Sequence, residues 1–138
     1  MIARVLMSLS AVVILTLGIL HLVYSFWGPK LTPRDPAVRM SMERTSPVIS
    51  DETTMWRCWT GFNATHSMAL ILFGLIYLYL AVRHSEFLFS STFLLAVGLT
   101  MLAGLLVISK AYFFSIPFAG ATVSLISYAA SVAIAKLS

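Results

Sequence analysis

Residues 54–82 read TMWRCWTGFNATHSMALILFGLIYLYLAV. From Met68 onward the run carries no charge and one glycine, Gly74, which suits a lipid-facing helix better than a water-facing one. Upstream, Ser50 reads as a helix cap, and Asp51, Glu52 and Thr53 place negative charge in a first turn. A helix from there to Val82 spans about 32 residues and roughly 48 Å, more than a hydrocarbon core of about 30 Å. Its first two or three turns should project from the bilayer, leaving Trp56 and Trp59 at the interface.

Three further runs are long enough to cross a membrane: 5–27, 87–109 and 116–135. The first exceeds the apolar core of a signal peptide, lacks a small-residue cleavage site, and ends in Phe26 and Trp27, an interfacial anchor, so it reads as a retained helix. Arg83-His84-Ser85-Glu86 and residues 111–115 form tight turns, which force the last three helices to be antiparallel neighbours. The expected fold is an all-α membrane protein of one domain, residues 1–138, with four transmembrane helices (5–27, 54–82, 87–109, 116–135) in an antiparallel bundle and both ends on one side.

Composition agrees. Of 138 residues, 59% are hydrophobic and 10% charged, with a mean hydropathy of +0.94, whereas a soluble domain is about a quarter charged. The net charge of +4 does not point to nucleic acid, because there is no dense basic run and the cations flank apolar segments, where anionic lipid head groups meet them. The single cysteine, Cys58, excludes an internal disulfide and a multi-thiolate metal site, and reads as a small apolar filler. No internal repeat or low-complexity segment is present.

Residues 28–50 make the only long connection, broken by Pro29, Pro33, Pro36 and Pro47. Asp35 followed by Pro36 is a helix start, so a short helix from Pro36 to about Thr45 is expected. A loop of this length inside a compact domain is functional more often than a short one. In the last span Gly120, Ser124, Ser127 and Ser131 share a face and predict close helix packing. Arg4, Arg83 and Lys136 fall on one side, and Lys30, Arg34, Arg39, Arg44, Arg57 and Lys110 on the other. The positive-inside rule therefore puts the long loop in the cytoplasm and the ends outside, in the cell membrane.

Chemistry concentrates at the start of the second span. Trp59, Asn63, His66 and Ser67 lie at helical spacing on one face, more polar than a mere span requires. His21 sits about six residues before the end of the first span, so the two imidazoles fall at similar depth, at the rotation periodicity leaves undefined. Polar residues at such depth either satisfy one another structurally or form a site.

Three functional readings are open. In the first, the loop covers a pocket where His21, Arg34, Arg57, Trp59, Asn63, His66 and Ser67, with Asp35, bind or act on a lipid or small polar-headed ligand, the arginines holding a phosphate or carboxylate. The plain alternative for the arginines is snorkelling to head groups. In the second, the chain is an accessory or scaffold subunit whose polar face docks a membrane protein or another copy of itself, so that Trp59, Asn63 and His66 become buried only in the complex. In the third, His21 and His66 are axial ligands of a b-type haem; a divalent metal with Asp35 or Glu43 as third ligand is weaker. Enzymatic work would use His66 or His21 as base, Asp35 to orient it and Arg57 against a developing anion, but no established catalytic motif is present.

The stretches His21-Leu22, Phe26-Trp27-Gly28-Pro29, Leu31-Thr32-Pro33-Arg34-Asp35, Thr54-Met55-Trp56-Arg57 and Gly61-Phe62-Asn63-Ala64-Thr65-His66-Ser67 resemble those of small four-helix bacterial membrane proteins. The resemblance covers nearly the whole chain in architecture and implies no activity and no catalytic residue.

Overall fold

The computed structural model describes residues 1–137. It is all helical: α1 (Ile2–Phe26), α2 (Pro36–Arg44), α3 (Met55–Arg83), α4 (Ser85–Ser90), α5 (Thr92–Tyr112) and α6 (Ser115–Leu137). Four of these, α1, α3, α5 and α6, are long and apolar enough to cross a membrane. By internal contacts the chain forms two compact units, Met1–Leu17 with Leu70–Ser138, and Gly18–Ala69, with the boundary falling inside α1 and α3.

The first unit is an antiparallel four-helix bundle, read directly from its register. Along α1 and α6, Ala3 meets Ser131, Ser10 meets Ser124 and Leu17 meets Gly120, so the two helices run in opposite directions. Along α1 and α3, Arg4 bonds the carbonyls of Ala81 and Val82 while Leu15 packs on Gly74. The small-residue face expected on the last span is the face that packs: the Ser124 hydroxyl lies 2.8 Å from that of Ser10 and donates to the Ser10 carbonyl at 3.0 Å, and Ser131 donates to the Ala3 carbonyl at 2.7 Å. Small side chains let the backbones approach, and each hydroxyl finds an acceptor that hydrocarbon would not supply. Tyr128 of α6 reaches across Gly98 to donate to the Leu95 carbonyl at 2.9 Å, and Tyr77 donates to Leu94 at 2.6 Å, joining three helices at one level.

Two local expectations are corrected. The helix capped at Ser50 begins a turn later: the Ser50 hydroxyl accepts from Glu52 N in a local turn, and Thr54 becomes the cap of α3, accepting from Arg57 N at 3.3 Å. The span expected over 87–109 is interrupted, because Ser91 adopts an extended conformation and its hydroxyl accepts from Leu94 N, ending α4 and starting α5. Ser90-Ser91-Thr92 is a run of hydroxyl side chains that compete for backbone bonds, and so a natural cap.

In the second unit, residues 18–26 of α1 and 55–69 of α3 carry the connection between them. Gly28, the only residue with positive φ (+86°) among those described, ends α1 in a left-handed turn that a side chain would strain. Asp35 caps α2 as expected, its carboxylate accepting from Ala37 N at 2.8 Å with Pro36 in the first turn. The Met55 amide then donates to the Thr45 carbonyl at 2.8 Å, closing the segment between α2 and α3.

Candidate functional site

The polar face of α3 is turned into the second unit. At its centre, Asn63 donates from Nδ2 to the Trp59 carbonyl at 2.8 Å, which leaves Oδ1 as an acceptor 2.9 Å from His21 Nε2. An acceptor there requires His21 to carry its proton on Nε2. His66 packs edge-on against the same imidazole, with ring centres 5.4 Å apart and planes at 79°. Ser67, fully buried, donates to the Asn63 carbonyl at 2.8 Å. His21, Asn63 and His66 therefore meet, as similar depth on antiparallel helices suggested.

Above this cluster a cleft of about 230 Å³ opens between α1, α2 and α3. Tyr24, Trp56 and Trp59 supply aromatic walls; Thr32, Thr60 and Asn63 supply polar groups. The Trp59 indole N–H donates to the Leu31 carbonyl at 2.9 Å, pinning the start of the loop beside the cleft. Arg39 of α2 lies over the Trp56 ring at 4.5 Å, a cation–π contact, and pairs with Glu43 one turn along at 3.0 Å. Sharing Leu31, Thr32 and Trp59 with the cleft, an apolar groove of about 320 Å³ is further bounded by Pro33, Met42 and Lys30. Lys30 sits 4.1 Å above the Tyr24 ring and donates to its hydroxyl at 3.0 Å.

The other predicted site residues lie elsewhere. Arg34 is exposed and borders neither cavity; Arg57 is exposed on the first turn of α3, and its side chain does not line the cleft. Asp35 spends its carboxylate on the α2 cap. The cation at the cleft is Arg39, on the Trp56 ring, and Tyr24 is a further aromatic residue of the lining. The packing of α2 against the start of α3 brings Arg39 to the cleft, and the nine residues of α2 do not encode that contact.

Two chemical alternatives lose their geometry. A haem must lie between its two axial imidazoles, each aiming a nitrogen at the iron, but His21 and His66 are in direct contact and His21 Nε2 is turned to Asn63. A His21 base oriented by Asp35 is also not formed, since the partner of His21 is a neutral amide and Asp35 caps α2. Glu43 is engaged with Arg39, and among the described residues no three His, Cys, Asp or Glu side chains gather as metal ligands.

The distribution of side chains defines the class of protein. Only 22% to 33% of the most apolar stretch of each long helix is buried, while the fully buried positions include Ser10, Ser67, Ser124 and Ser131. Large apolar residues outside and small hydroxyl residues inside suit hydrocarbon as solvent. The chain is an integral membrane protein, a helical bundle in contact with lipid. No protein-family model matches it, and comparison with curated proteins and with solved structures finds no significant similarity.

Proposed function

We propose that the protein binds the polar head of a lipid or other amphiphile in the cleft beside Trp59. The observation that carries this is the lining: aromatic walls from Tyr24, Trp56 and Trp59 converge with the polar groups of Thr32, Thr60 and Asn63 and the guanidinium of Arg39. A few placed polar groups among aromatic ones is the composition of a small-molecule site. At about 230 Å³ the cleft suits a head group, with the apolar remainder of the molecule left outside it.

The His21–Asn63–Trp59 chain supports the wall of that cleft, because the His21–Asn63 bond holds the start of α3 against the end of α1 and the bond to the Trp59 carbonyl fixes the amide that receives it. It also weighs against an accessory-subunit role, in which these groups would await a partner; here His21 meets Asn63 and Leu31 meets Trp59 within the chain. The positive-inside rule places the loop and the cleft at the cytoplasmic face of the cell membrane, with six cations there and three at the other end.

The test is native mass spectrometry of the protein extracted gently from its own membranes. The expected spectrum shows a discrete small adduct on the wild type that is absent from a Trp56→Ala variant with unchanged helicity. A bare chain, or release only with a larger protein, would overturn the proposal.

A further inference from the structure

The charges bordering the two cavities narrow the ligand class. Both charged side chains that line them, Arg39 in the cleft and Lys30 in the groove, are cations; no carboxylate lines either one. Each cation is held on an aromatic face, Arg39 on Trp56 and Lys30 on Tyr24, which fixes a flexible side chain in place before any ligand arrives. Glu43 engages the Nε edge of Arg39 at 3.0 Å and so leaves the two terminal nitrogens of the guanidinium for another acceptor.

The cavities are also complementary to each other. Leu31, Thr32 and Trp59 belong to both, so a cleft with polar groups adjoins a groove lined mainly by Leu31, Pro33, Met42 and Trp59. An amphiphile can place its head in the cleft and the first part of its chain in the groove. Resting on the head-group reading above, we infer that the ligand is an anionic phospholipid, its phosphate taken by Arg39 in the cleft and its proximal acyl chain by the groove beside Met42, where Lys30, held on the Tyr24 wall of the cleft, adds a second positive charge.

Arg39 suits this role because a planar guanidinium binds phosphate through two parallel N–H donors, while Lys30 acts as a point charge. Arg34 and Arg57, equally basic but bordering neither cavity, serve as internal controls.

The experiment is native mass spectrometry of delipidated protein incubated with equimolar phosphatidylglycerol and phosphatidylcholine. The wild type is expected to retain one phosphatidylglycerol in preference to phosphatidylcholine. Arg39→Gln and Lys30→Gln should each reduce that retention by about tenfold, the scale of one lost charge-assisted hydrogen bond, while Arg34→Gln and Arg57→Gln leave it unchanged. Equal retention of the two lipids, or equal effects of all four variants, overturns the anionic-lipid inference. If a single phosphatidylcholine is still held and Trp56→Ala removes it, the head-group site stands and only the charge preference falls. Retention of neither lipid removes both proposals. Competition with millimolar glycerol phosphate separates the sources: displacement at that concentration means a soluble phosphate compound is the ligand and the lipid assignment is wrong, whereas continued lipid retention supports it.

Discussion

His21 and Asn63, 42 positions apart in sequence, are joined by a 2.9 Å hydrogen bond between Nε2 and Oδ1. Because the other end of the Asn63 amide is committed to the Trp59 carbonyl, the bond has one direction, from imidazole to amide, and His21 has one neutral tautomer. The pair ties the end of α1 to the start of α3 within the unit that bears the cleft.

A double-mutant cycle measures that tie. With His21→Phe and Asn63→Leu alone and combined, the coupling energy in a membrane unfolding assay should be about 0.6 to 1.7 kcal/mol, the range for hydrogen bonds between helices in lipid. Nitrogen NMR of labelled histidine should find the proton of neutral His21 on Nε2. A coupling of zero would mean the bond contributes nothing to the fold.

The two glycines that receive α1 should not respond alike to a methyl group. A Cβ on Gly74 would fall 2.7 Å from Leu15 Cβ and 2.9 Å from its backbone, atoms that cannot turn away, while one on Gly120 would meet the rotatable end of Leu17 at 2.5 Å. Gly74→Ala is therefore expected to destabilise by about 1 to 3 kcal/mol, and Gly120→Ala by less. Thermal unfolding in detergent ranks them, and the reverse order would contradict the α1–α3 register.

Arg4 closes the C-terminal turn of α3 by donating to the Val82 carbonyl at 2.7 Å and the Ala81 carbonyl at 3.3 Å. Carbonyls at a helix end lack intrahelical donors, and a cation there is doubly suited to them. Arg4→Gln should speed amide hydrogen exchange in the Leu80–His84 turn and leave the His21–Asn63 region unchanged. Uniform acceleration along the whole chain would instead mean that Arg4 holds the entire fold.

Sidedness is testable with single cysteines in a Cys58→Ala background. Val48, fully exposed in the loop, and Ile2, exposed at the start of α1, supply the two reporters. In intact cells a membrane-impermeant maleimide should label Ile2→Cys, and Val48→Cys only after permeabilisation. The opposite pattern would invert the orientation that the positive-inside rule assigns.

Several features were legible because one local cause suffices for each. Asp35 before Pro36 starts a helix wherever the chain lies, since the carboxylate and the ring act on neighbouring backbone groups. The face of Gly120, Ser124 and Ser131 announces close packing because hydrocarbon offers no other use for it. Ser91 was equally available as a cap but was hidden by the apolar residues on either side, which keep the average hydropathy high across the break. Helical spacing brings out Trp59, Asn63, His66 and Ser67 on one face of α3, whereas nothing local distinguishes Arg39 from Arg34 and Arg44 in the same connection.

By itself the sequence determined the solvent and the spans: a bilayer demands about 20 apolar residues per crossing and internal hydrogen bonding of the backbone, and a chain with this hydropathy meets both with helices. It also set the depth of each histidine, since depth follows from counting residues along a helix. Tertiary structure alone decided rotation and partner. Whether His21 meets Asn63, whether Arg39 reaches Trp56, and whether two imidazoles touch or flank a cofactor all depend on how helices turn about their axes. That angle is fixed by contacts between segments far apart in the chain, which no periodicity within one segment records.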